Sequence, residues 1–253
     1  MSENQNFKVK DLSGPASLSA FAAYREMYYG RQPLGRVILS ELIITLLGGI
    51  GGALGLLLRS KAYPLLFASC GRKVVFGRNI TLRHSHKIRI GQGVIIDDNC
   101  VLDAKGADNA GIVLGDQVYI GRNTIIYCKN GDITIGDRVN LSSNCQVYSS
   151  NKLAFEPDTM VGAYSYFLSG GAYDLSDPTP FSRQSGMSAK GDLTIGENCW
   201  IAARVTVLNA ACIGKHCVVG AGAVVTKPIP ANSVAVGVPA KVVKNLPATT
   251  GTS

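Results

Sequence analysis

The stretch LTIGENCWIAARVTVLNAACIGKHCVVGAGAVV, residues 193–225, carries an aliphatic side chain at every sixth position: Ile195, Ile201, Val207, Ile213, Val219 and Val225. A period of six held without slippage is the mark of a stacked coil in which each hexad supplies one side of a triangular turn. The same phase extends upstream in triplets: Ile90, Ile96 and Leu102; Leu114, Ile120 and Ile126; Ile135, Leu141 and Val147; Phe155, Val161 and Phe167. An incomplete set, Phe76 and Leu82, precedes them. The pattern predicts an all-β parallel β-helix of about seven coils over residues 71–245. Neighbouring coils then pair their backbones about 4.8 Å apart, and the Gly that often follows the inward aliphatic relieves a tight corner.

Two further regularities follow from the register. Cys100, Cys145, Cys199 and Cys217 each stand four residues after an inward aliphatic, and Thr124, Ser165, Ala211 and Ala223 occupy the equivalent place. This is a slot for a small inward side chain, so these thiols are expected to pack rather than to react or bind metal. Insertions fall only between triplets, which places them all on one edge of the prism. The largest, from about Leu168 to Leu193, predicts a protruding arm, and insertions on one edge commonly map to a binding face.

Of the 253 residues, 46 % are hydrophobic and only 17 % charged, with 29 glycines and a net charge of +8. A diffuse positive field favours anionic partners such as cofactor phosphates, acidic polysaccharide or anionic lipid. No nucleic-acid motif or aromatic-interleaved basic run is present, so nucleic acid is not an expected partner. Seven cysteines with no CxxC pair, and an apolar run that starts too late for a cleavable signal, point to a reducing, cytoplasmic compartment.

Ahead of the repeat, residues 1–70 read as a helical, membrane-associated region. Residues 1–20 are polar and expected to fray, and 21–30 form a short amphipathic helix. The run Val37–Leu58 contains one charge, Glu41, and its 22 residues are long enough to cross about 30 Å of hydrocarbon if helical. Basic residues flank it on both sides (Arg25, Arg31 and Arg36; Arg59, Lys61, Arg72 and Lys73), so the positive-inside rule selects no orientation. A broken helix dipping into the inner membrane, or lying at its surface through residues 37–58, fits both flanks. The alternative is a buried helix that caps the β-helix. Two Gly-xxx-Gly spacings between Gly48 and Gly55 permit a kink or a close approach. Residues 246–253 read as a disordered tail.

The closing segment IGENCWIAARVTVLNAACIGKHCVVGAGAVVTKPIPANSVAVGVPAKVV, residues 195–243, resembles the last coils of the left-handed β-helix hexapeptide-repeat acyltransferases, in their sugar and polysaccharide O-acetylating branch. The resemblance covers residues 73–245 and implies left-handed winding, a homotrimer and acetyl-CoA, or another acyl-CoA, bound between neighbouring helices. It implies no metal. The acceptor is a sugar, a polysaccharide or a lipid-linked saccharide. Carried onto this chain, the cofactor groove takes in Trp200, the backbone of Ala221, Gly222 and Ala223, and the cations Lys227 and Lys241, with Lys244 and Arg204 nearby.

In the same resemblance a histidine on the arm takes the proton of the acceptor hydroxyl. Here the arm reads SGGAYDLSDPTPFSRQ, residues 169–184, which sets Tyr173 where that histidine belongs and keeps Asp174 beside it. An imidazole near pKa 6.5 suits proton transfer at neutral pH, whereas a phenol near 10 does not. Asp174 and Asp177 are the remaining carboxylates. The chain has three histidines: His216 falls mid-hexad at the surface, and His84 and His86 sit on the arm's edge but in the first coil. With Asp103 and Lys105 they make a second polar site or a hydrogen-bonded corner. Two histidines do not supply the three metal ligands that a carbonic anhydrase of this fold requires. Two readings stay open: an acyltransferase with an altered base at Tyr173, Asp174, His84 or His86, and a catalytically impaired binding or scaffold β-helix.

Overall fold

The computed structural model describes residues 19–184 and 191–247. The expected frayed start falls mostly outside the described residues, as do six residues of the arm and the tail from residue 248. Ser69–Cys70, Val75–Phe76 and Thr81–Arg83 form the first coil; Ile88–Ile90, Ile95–Ile96 and Val101–Asp103 form the second. Each strand pairs in parallel with its counterpart one coil later, Cys70 with Ile90, Phe76 with Ile96 and Leu82 with Leu102. Repetition gives three faces of six, nine and seven strands, wound as a left-handed parallel β-helix of about seven coils. The chain ends with Lys241–Asn245 folding back antiparallel on Ser233–Val236.

The six-residue period maps directly onto burial. Every aliphatic and aromatic residue of the triplets is at most 5 % exposed. Cys70 completes the first set by pairing on the first face. The glycine that follows the inward residue has a different reason from the one expected. At Gly91 a Cβ would lie 2.5 Å from the backbone of Gly115 in the next coil, so the position needs close approach rather than torsional freedom. The left-handed backbone falls two residues further on, at Asn79, Asn99, Asn123 and Asn144 on one corner, with φ between 54° and 61°. Asn tolerates that region better than most residues with a side chain.

The small-residue slot is also a hydrogen-bonding position. Cys100, Cys145, Cys199 and Cys217 are buried, and their thiols donate to the carbonyl oxygens of Gly121, Gly162, Gly214 and Pro230 in the following coil. Burial pushes the Cys100 and Cys199 thiols up to about 12, so they stay protonated and unreactive. All seven cysteines are free.

Three helices close the N-terminal end: α1 (Ala20–Tyr29), α2 (Leu34–Leu47) and α3 (Gly52–Ala62). The apolar run read as one possible span is therefore broken at Gly48–Gly51, and no described helix is long and apolar enough to cross a membrane. Arg59, expected among the flanking cations, is 1 % exposed. Its guanidinium donates to the carbonyls of Phe76 (3.0 Å), Leu47 (3.0 Å) and Ile50 (2.7 Å). It thus satisfies the C-terminal carbonyls that α2 leaves open and ties both helices to the first coil. Glu41, the lone charge of the run, accepts hydrogen bonds from the hydroxyls of Tyr24 and Tyr29.

Candidate active site

The arm leaves the fifth coil after Tyr166–Ser169 and returns before Leu193–Ile195. Its base turns on Gly170 and Gly171, with φ of 102° and 92°, a region that disfavours any side chain. A Cβ at Gly170 would also collide with the Ser150 hydroxyl. The Gly170 N–H donates to Asn209 Oδ1 at 3.1 Å. Beyond the base the described part of the arm folds around one buried side chain, Gln184. Its Oε1 accepts from the Asp174 N–H at 3.2 Å, and its Nε2 donates to the carbonyls of Asp174 (3.0 Å), Asp177 (3.3 Å) and Thr179 (3.1 Å).

Within this frame Tyr173 is 39 % exposed, its ring 5.5 Å from that of Phe181. Asp174 is committed to its own turn: Oδ1 accepts from the Ser176 N–H at 2.8 Å and from its hydroxyl at 2.6 Å. The Ser176 hydroxyl and N–H hold the carboxyl below its usual range, which makes it a weak base. Asp177 likewise caps the Thr179 N–H at 2.8 Å.

His84 and His86 lie at the far end of the same edge, in the corner between the first and second coils. The arm starts four coils away, about 19 Å at 4.8 Å per coil, so the structure does not bring either imidazole to Tyr173. The two rings stand 5.9 Å apart and line a cleft of about 340 Å³ with Glu26, Arg31, Lys87 and Asp108. Gly30, at φ 62°, brings the end of α1 against the His84 ring. Burial, then His86 and Lys87, pull the His84 imidazole down to about 4; burial, then Lys87 and Arg36, do the same to His86. Both rings are uncharged at neutral pH, and the Nδ1 of His84 is buried without a described partner. Asp103 pairs instead with Arg83 at 3.5 Å and accepts from the Lys105 N–H at 3.0 Å. Arg83 also stacks over Tyr28, 4.6 Å from its ring centre.

The residues expected to line a cofactor groove all fall in the last coils and the closing strands. Trp200 is 60 % exposed on the second face, in register with Met160 and Val218. Gly222 turns the last corner with open space beside it, while the Ala223 methyl is fully buried and only its backbone borders that corner. Lys227, Lys241 and Lys244 are exposed. Among the described residues no group of His, Cys, Asp and Glu is placed to hold a metal ion.

Residues 192–227 match the bacterial transferase hexapeptide family (six repeats). The closing coils of the chain are thus similar to the repeats of the hexapeptide transferases. A putative acetyltransferase of Staphylococcus aureus is 44 % identical over 77 residues, 30 % of this chain and 39 % of that protein. Galactoside O-acetyltransferase of Escherichia coli is 42 % identical over 64 residues, 25 % of this chain and 32 % of its own length. The chain thus spans well under half of these curated relatives. Among solved structures, AntD, an N-acyltransferase from Bacillus cereus in complex with dTDP-4-amino-4,6-dideoxyglucose and coenzyme A, shares the fold. Its TM-score is 0.51 at 18 % identity, over 75 % of this chain and 89 % of AntD. Asn209, which holds the arm's base, lies inside the matched hexapeptide stretch, and Gln184 lies outside it. Neither residue stands in a motif, because each acts through backbone groups that no motif encodes.

Proposed function

We propose that this transferase moves an acyl group, acetyl in the simplest case, from coenzyme A to a hydroxyl of a saccharide or lipid-linked saccharide. The carrying observation is that the transferase hexads and the arm are one unit, joined at Asn209 and Gly170. The acceptor oxygen bonds to the thioester carbonyl carbon, the carbon–sulfur bond breaks, and the acceptor proton ends on the released thiol. Trp200, the Ala221–Gly222–Ala223 corner, Lys227 and Lys241 are the proposed cofactor surface. Exposed Val75, Ile95, Met160 and Trp200 on the second face favour a homotrimer whose neighbours complete the groove. Seven free thiols fit a reducing cytoplasm, with the acceptor presented at the inner membrane face.

The described arm carries no imidazole, and Asp174 is occupied by Ser176, which leaves Tyr173 as its most available titratable group. This feature also favours a second reading, a binding β-helix with impaired catalysis. Thiol release from acetyl-CoA, followed over a panel of sugar acceptors, separates the two. Acceptor-dependent release supports transfer, and release that stays at the acceptor-free rate throughout supports the impaired form.

A further inference from the structure

The helical cap presents an apolar face that is exposed among the described residues. On α2 the side chains of Leu34, Ile38, Leu42 and Leu46 recur every four residues and are 49–64 % exposed, opposite the buried Val37, Ser40 and Ile43. Leu54 and Leu57 of α3 and the following Leu65 extend it, each about 60 % exposed. Beside them Phe21 and Tyr24 of α1 and the α2 stripe line a shallow groove of about 440 Å³. The only charge in the run, Glu41, lines this groove half-buried, its carboxylate held by the Tyr24 and Tyr29 hydroxyls. Arg25, Arg31 and Arg36 precede the apolar run Val37–Leu58 in the chain, and Lys61, Arg72 and Lys73 follow it.

We infer that the cap is a monotopic docking surface that seats in one leaflet of an anionic bilayer. Two observations select lipid over a protein partner, and a third limits the seat to one leaflet. The stripe is almost purely Leu and Ile, whereas protein interfaces concentrate aromatic residues, Met and Arg at their centre. Its flanks carry cations, which complement anionic headgroups. At 14 residues α2 spans about 21 Å, short of the roughly 30 Å needed to cross, and the Arg59 bonds to Leu47 and Ile50 hold it folded back on α3. A single-leaflet seat satisfies all three. The inference is independent of acyl transfer, so failure of either leaves the other standing.

The test is co-sedimentation of the full chain with phosphatidylcholine vesicles, with and without phosphatidylglycerol. Docking predicts partition onto the anionic vesicles that weakens in high salt. It also predicts at least about a tenfold loss of partition in the Leu42→Ser/Leu57→Ser variant, with the thermal midpoint unchanged because both residues are exposed. A chain that stays in the supernatant with both compositions overturns the inference. So does lipid-free self-association that the same variant abolishes, since the face then belongs to a second copy.

Discussion

The side-chain Oδ1 of Asn209 accepts a hydrogen bond from the backbone N–H of Gly170 at 3.1 Å, across the gap between the arm and the closing coils. Its Nδ2 is buried and without a described partner, which leaves a donor free at the base of the arm. Asn209→Ala should therefore cost about 1 kcal/mol of stability while reducing kcat/KM on the order of tenfold. Steady-state kinetics paired with thermal denaturation check this; a large stability loss with unaltered kcat/KM would contradict a positioning role.

In the described arm, Tyr173→His should raise turnover, because an imidazole can accept the acceptor proton near neutral pH. General acid–base assistance is commonly worth on the order of a hundredfold or more. Tyr173→Phe should leave the rate within about twofold if the phenol is not the base. A rate that falls steeply in the Phe variant would assign the proton transfer to Tyr173 itself.

The imidazoles of His84 and His86 are held near 4, against an ordinary value of 6.5. Between those values the unfolded chain binds protons that the native chain does not, so stability rises with pH across this window and falls as pH drops through it. With only three histidines in the chain, the ring proton resonances resolve the case directly. Two should keep their neutral positions at pH 5.5, and titration of both near 6.5 would refute the packing described for the cleft.

Arg59→Met should lower stability by roughly 3 kcal/mol, because three buried carbonyls lose their donor at once. The loss should appear first at the N-terminal coil, since repeat structures unfold unit by unit. Hydrogen exchange localises it, and uniform loss of protection along the β-helix would argue against a local staple.

The hexads made the β-helix legible because each inward residue reports the same physical event, burial on one of three faces. The thiol slot was legible for the same reason. Arg59 was not: as a cation beside an apolar run it reads as a membrane flank, and only the break at Gly48–Gly51 turns it inward. The arm was visible as an interruption. Gln184 and Asn209 were hidden, since a side chain that satisfies backbone groups far away in sequence leaves no periodic trace. Tyr173 stands out only through the resemblance of its arm to arms that carry a histidine at that place.

Binding of a coenzyme A thioester to this β-helix is tested most directly by calorimetry with coenzyme A on the full chain. Saturable binding that weakens in the Trp200→Ala and Lys241→Ala variants is the expected result. The absence of any binding heat, with the native circular dichroism of the β-helix retained, would contradict it.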